Sequence, residues 1–149
     1  MTMTSTNSLE STAIALVAEG KGILAADETS PTLTKRFVAL GIESTAQSRR
    51  AYREMLFTPP GVAEFLSGVI MYDETIRQKS SSGIPLPQVL SGQGIIPGIK
   101  VDTGAKPLAA CPGESVTEGL DGLRDRLIEY REMGARFAKW RAVIRVSDS

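Results

Sequence analysis

The sequence contains no histidine, a single cysteine at Cys111, few aromatic residues and no excess of charge of either sign. Without histidine there is no Ser-His or Cys-His couple for nucleophilic catalysis. One cysteine closes no internal disulfide and builds no thiolate zinc site. Metal and catalytic-triad chemistries are therefore not expected, and no metal ligand or cofactor is assigned. Seventeen Lys and Arg balance seventeen Asp and Glu, so no overall field draws the chain to nucleic acid or to anionic lipid. Long hydrophobic runs are missing too. The N-terminal stretch has no basic segment, and its apolar run at 13–18 is far shorter than a signal peptide's core or a membrane span. The expectation is a cytoplasmic chain with no nucleic-acid and no membrane partner.

What is present is a globular composition, 42% hydrophobic and 23% charged over 149 residues, a length that normally means one domain. Four apolar runs recur, each ending in a charged or polar residue: GILAAD at 22–27, SGVIMYDE at 67–74, IIPGIKVD at 95–102 and FAKWRAVIR at 137–145. Near-continuous apolar runs suit strands of a parallel sheet covered on both faces. Between them lie helix signals. Ser30 and Pro31 open a helix that Gly41 stops, and Ser44 with Gln47 reads as a capping box that opens a second. Ser115 with Glu118 reads as a further capping box, before an apolar stripe of Leu120, Leu123, Leu127 and Tyr130 closed by Gly134. Gly119 and Gly122 are expected to weaken that helix by about 1 kcal/mol each. Residues 78–93, rich in Ser, Gly and Pro, read as a loop leading into a short helical turn at most.

Alternating strands and helices predict α/β architecture. No phosphate-binding glycine motif follows a strand, which disfavours a doubly wound nucleotide fold. Polar side chains at the strand C-terminal ends, Asp27, Lys100, Asp102 and Lys139, instead suit a barrel, whose functional groups gather there.

Asp27 has two readings: a carboxylate poised for proton transfer at the barrel mouth, or an exposed cap of the following helix. Lys100 and Lys139 are embedded in apolar strands, where a lysine is costly unless paired or functional. Strand alternation puts Lys139 and Arg141 on one side and Trp140 on the other. An anion is expected between these cations, either Asp27 or Asp102, or a substrate phosphate. Lys35 and Arg36, with hydroxyls at Thr29, Ser30 and Thr32, lie early in the first helix and read as a phosphate-binding group or a solvated face. Arg49 and Arg50 carry the same two readings. Together these residues suggest an anionic small-molecule ligand and metal-free lysine chemistry.

The string GKGILAADE followed by TSPTLTKRF closely resembles the opening of class I fructose-bisphosphate aldolases. SGVIMYDETIRQK, GIIPGIKVDTG, PLA, GE, EGLDGL and GARFAKWRAV continue the resemblance in family order over residues 20–143. It implies a (β/α)8 TIM barrel, of which this chain carries roughly the first four strands. It also implies reversible cleavage of fructose 1,6-bisphosphate to dihydroxyacetone phosphate and glyceraldehyde 3-phosphate through a lysine Schiff base. By the same resemblance Asp27 handles protons around the carbinolamine and Schiff base, and Lys139 places positive charge beside the nascent imine. Lys100, Arg141, Thr32, Lys35, Arg36 and Arg49 are implied to contact the sugar phosphate.

Two positions depart from the family pattern. Thr29, Ser30 and Pro31 replace the usual Ser-Thr-Gly after AADE, which stiffens that loop. Thr103 stands where a lysine is common.

Family members are more than twice this length, so the chain is expected to be the N-terminal half of a subunit, with residues 1–19 an N-terminal extension and helix and 20–149 the first four strands and their helices. The Schiff-base lysine, the acid/base glutamates and the second phosphate site then belong to later strands. The complete subunit is expected to form a homotetramer. The competing expectation is an inactive half-barrel that serves as a phosphate-binding or protein-interaction module, because half a barrel leaves an open edge.

Overall fold

Three of the four apolar runs form strands over most of their length, and the fourth is cut short, in the computed structural model, which describes residues 5–144 and 146. Arg145, the end of the fourth predicted run, lies outside the described residues, as does the start of the predicted N-terminal extension. In chain order the elements are α1 (Ser5–Leu16), β1 (Gly22–Ala26), α2 (Ser30–Ala39), α3 (Ala46–Phe57), α4 (Val62–Phe65), β2 (Leu66–Met71) and α5 (Asp73–Ile76). They continue with α6 (Leu86–Ser91), β3 (Ile96–Lys100), β4 (Gly104–Pro107), β5 (Ser115–Glu118), α7 (Leu123–Glu132) and β6 (Phe137–Lys139).

β1, β2, β3 and β6 form one parallel sheet in that order. Neighbours follow one another along the chain with no reversal. A doubly wound sheet reverses its strand order at a switch point, whereas a barrel advances in one direction. The sheet is therefore part of a TIM barrel.

Register decides what each face presents. Ala26, Met71, Ile99 and Ala138 stand side by side. Ala26, Val69, Met71, Ile99 and Val101 pack with Phe57, Ile76, Leu86, Leu90 and Tyr130 of the helices and Ile95 in one buried cluster. Each such apolar side chain contributes about 1.5–3 kcal/mol on burial. The opposite face carries the row Ala25, Ile70, Gly98 and Phe137, and a Cβ built on Gly98 would lie 2.3 Å from the Phe137 ring. The ring thus lies flat over a glycine. Gly98→Ala is expected to cost about 1–3 kcal/mol through overpacking, read from urea denaturation. Truncating Phe137 to Ala in the same chain should recover part of that loss, since residues in contact couple in a double-mutant cycle; strictly additive losses would refute the contact.

The helix stops follow local chemistry. At the end of α2, Gly41 takes φ 68°, and the amides of Gly41 and Ile42 donate to Val38 and Phe37 carbonyls, the paired bonds of a Schellman motif. The capping box of α3 sits one residue later than expected. Thr45 and Ser48 exchange side-chain and backbone hydrogen bonds, and the Ser44 hydroxyl is within 2.7 Å of Thr34 Oγ1 instead.

The expected capping box at Ser115 and Glu118 does not form. Residues 115–118 are strand β5, antiparallel to β4, as their alternating, β-branched Val116 and Thr117 allow. Gly119 at φ 131° and Gly122 at φ 63° then hold conformations that side chains rarely adopt, so α7 starts only at Leu123, and Leu120 is exposed. The two glycines lie outside the helix they were expected to weaken. Residues 86–91 form α6, more than the short turn expected, because Leu86, Pro87 and Leu90 are buried.

β6 ends at Lys139 rather than running on through Arg141. Val101 N–H donates to the Lys139 carbonyl, but the Val101 carbonyl takes the Arg126 guanidinium and the Arg141 N–H goes to Asp102 Oδ2. With both partners diverted, the ladder cannot continue.

Candidate active site

Parallel register carries the strand ends to one level. Lys100 aligns with Lys139, one residue beyond the row of Ala26, Met71, Ile99 and Ala138. Alternation therefore turns both lysines away from the helix-covered core. Asp27, the residue after β1, meets Lys139 there: Nζ lies 2.5 Å from Oδ2, joining groups 112 residues apart in the chain. Asp27 does not cap α2. The N-cap is Thr29, and its side chain makes no capping bond.

Asp102 organises the second pair. Lys100 Nζ donates to Asp102 Oδ1 at 2.5 Å and to its carbonyl at 2.7 Å. Oδ1 also accepts from Gly104 N–H, and Oδ2 from Arg141 N–H. Burial pushes the Asp102 carboxyl up, but the Lys100 ammonium and the two amides outweigh it and hold the group below the ordinary carboxylate range. Arg141 thus joins the site through its backbone, with its side chain exposed. A cleft of about 460 Å³ opens beside this pair, lined by Thr29, Tyr72, Lys100, Asp102, Arg126 and Tyr130 among others.

The remaining predicted residues lie along α2 and at the start of α3, most of them already engaged. Arg36 Nη1 contacts Glu28 Oε1 at 2.6 Å. Arg49 grips Glu74 with two bonds, at 2.6 and 2.8 Å, and Ser30 reaches the same carboxylate. The Arg49 guanidinium lowers the Glu74 carboxyl, against a smaller rise from burial. Thr32 and Thr29 hydroxyls are 3.1 Å apart. Lys35 is exposed and has no ion-pair partner among the described residues. Arg50 pairs with Glu54 on its own helix, a partly buried bridge that Ser81 also joins. Among the described residues no group of His, Cys, Asp and Glu could hold a metal ion.

Sequence reasoning missed three participants. Glu28, Arg53 and Arg126 tie the loops that carry the site. Arg126 binds the carbonyls of Val101 and Gly119, and a Cβ on Gly119 would come within 2.9 Å of Thr103 N. Only glycine permits that approach beside Asp102. Arg53 had a detectable signal: it shares the buried face of α3 with Phe57, four residues on.

Residues 8–149 match the family described as fructose-bisphosphate aldolase class-I. The probable fructose-bisphosphate aldolase class 1 of Xylella fastidiosa strain 9a5c is 60% identical over 140 residues, 94% of this chain and 42% of that protein. The cytosolic fructose-bisphosphate aldolase 6 of Arabidopsis thaliana is 54% identical over 127 residues, 85% of this chain and 36% of that one. A solved structure of fructose-bisphosphate aldolase from Plasmodium falciparum, in complex with TRAP and a small-molecule inhibitor, superposes with a TM-score of 0.88 at 47% identity. It covers 91% of this chain and 39% of the other. The chain thus spans about two fifths of these relatives' length, and no helix among the described residues is long and apolar enough to cross a membrane. Strand order, the charged row at the strand ends and these matches lead to one conclusion: the chain belongs to the class I fructose-bisphosphate aldolase family.

Proposed function

We propose that this chain is the N-terminal part of a cytoplasmic, homotetrameric glycolytic and gluconeogenic aldolase. It prepares one side of a site whose Schiff-base lysine, acid/base glutamates and second phosphate contacts come from later strands. The reaction is the reversible cleavage of fructose 1,6-bisphosphate to dihydroxyacetone phosphate and glyceraldehyde 3-phosphate. The observation that carries this reading is the Asp27–Lys139 pair, an acid/base couple held at the C-terminal ends of two parallel barrel strands.

In the cleavage step the C4 hydroxyl loses its proton, the C3–C4 bond breaks and its electron pair flows into the iminium formed on the substrate's C2. Lys139 supplies positive charge beside that centre, and Asp27 takes up and returns protons while the carbinolamine forms and collapses. Lys100 presents its ammonium to the sugar phosphate, and Arg141 holds Asp102 beside it through its backbone N–H. Thr32, Lys35 and Arg36 of α2 and Arg49 of α3 serve a phosphate-bearing group of the substrate. Arg36 and Arg49 rest on Glu28 and Glu74, so a phosphate dianion must outcompete two carboxylates.

The test is intact mass spectrometry after incubation with dihydroxyacetone phosphate and borohydride, which reduces an imine to a stable amine. No adduct is expected on the 149-residue chain, and one per subunit once the chain is extended to its relatives' length. A stoichiometric adduct on the short chain would assign the nucleophile to one of its own lysines. Absence of an adduct from the extended chain would refute Schiff-base chemistry.

A further inference from the structure

Arg53 is the largest fully buried side chain among the described residues, 1% exposed. Burying a guanidinium costs several kcal/mol unless its donors are well placed, and here they converge on a single residue. Nη1 binds the Glu28 carboxylate, and Nη2 donates to the Glu28 carbonyl oxygen at 2.7 Å. Its Nε has no hydrogen-bond partner, so the interaction is not optimised for the arginine's own satisfaction. Replacing such a buried ion pair with apolar side chains is often neutral or stabilising. Stability is therefore a poor reason for its presence.

Position supplies a better one. Glu28 follows Asp27 directly and precedes Thr29, the N-cap of α2. A two-point grip on its carbonyl and carboxylate locks the turn by which the chain passes from β1 into α2. Burial raises the Glu28 carboxyl, but the Arg53 hydrogen bond, aided by backbone and by the Arg53 and Arg36 charges, brings it below the ordinary range. Glu28 therefore stays ionised and also anchors Arg36 through its other oxygen.

We propose that Arg53 is a positioning residue, gripping Glu28 from α3 and thereby setting the Asp27 carboxylate against Lys139. Resting on the aldolase reading, this assigns Arg53 a part in the reaction without contact to substrate. Two planar donors with fixed spacing make the grip; a lysine ammonium keeps the charge but cannot span carbonyl and carboxylate in the same way.

The test compares wild type with Arg53→Lys in the chain of full family length, with Glu28→Gln as second variant should Arg53→Lys not fold. Two readouts are taken. The first is the Asp27–Lys139 contact in a crystal structure of each, which needs no activity. The second is kcat per borohydride-trapped subunit, with its pH profile, which a loss of folded protein alone does not change. Arg53→Lys is expected to open the contact and to lower kcat per trapped subunit by about tenfold or more, since small misplacements of reacting groups are costly. The acid limb of the pH profile should move with it. Glu28→Gln, which loses one leg of the grip, should shift both readouts in the same direction by less. A wild-type contact with wild-type kcat per trapped subunit overturns the proposal, even if fewer subunits fold. If the wild-type chain cleaves no fructose 1,6-bisphosphate, the aldolase reading fails, and the crystallographic contact still decides whether Arg53 positions Asp27.

Discussion

Lys139→Met in the chain of full family length is expected to lower kcat for fructose 1,6-bisphosphate cleavage on the order of a hundredfold or more, the usual cost of removing a preorganised charge that stabilises a transition state. Methionine retains the unbranched, apolar stem, so packing along β6 is largely kept. What disappears is the ammonium 2.5 Å from Asp27. KM should change less than kcat, because the phosphate contacts proposed around α2 and Lys100 are untouched. The measurement is steady-state cleavage normalised to folded protein. An unchanged kcat would remove Lys139 from the chemistry and leave the pair a structural bridge.

Asp102→Ala is expected to destabilise the chain by about 3–5 kcal/mol, the range for breaking a buried pair by deleting one partner. The Asp102 side chain is 2% exposed, and Lys100, at 12%, would keep its charge with no carboxylate beside it. Two amides, of Gly104 and Arg141, would lose their acceptor as well. The same residue shapes the acid response. Its folded-state pKa lies below the ordinary value of 3.8, so its stabilisation is fully present above that value and is lost as pH falls below it. Glu28 and Glu74, also lowered, act in the same direction from their ordinary value of 4.5. Urea denaturation at neutral and acid pH tests both points. The variant should lose stability at neutral pH and show a shallower acid slope than the wild type. A loss under 1 kcal/mol with the wild-type slope would contradict the role given to Asp102.

Much of this architecture is legible along the chain because it depends on neighbours in sequence. Runs such as SGVIM, buried on both faces along β2, suit a covered parallel sheet, and Gly41 marks a helix end because the left-handed position suits it. The failures are equally local in form. Ser115 and Glu118 have the spacing of a capping box, yet their segment finds a strand partner in 104–107, and pairing energy overrides the local pattern. Ser44 and Thr45 are both good caps; the contact with Thr34 occupies the Ser44 hydroxyl and leaves the cap to Thr45.

The candidate site divides along the same line. Its residue types and their place at strand ends were set by the sequence itself: a lysine in an apolar strand and a carboxylate after AA have few inexpensive environments. Which anion serves which cation was decided by the fold alone. Lys139 meets Asp27 rather than Asp102, Arg141 enters by its amide rather than its side chain, and Arg53 holds the turn from β1 into α2. Charge pairing falls off over a few ångströms, and those distances come from sheet register and curvature across more than a hundred residues, which no short stretch of sequence encodes.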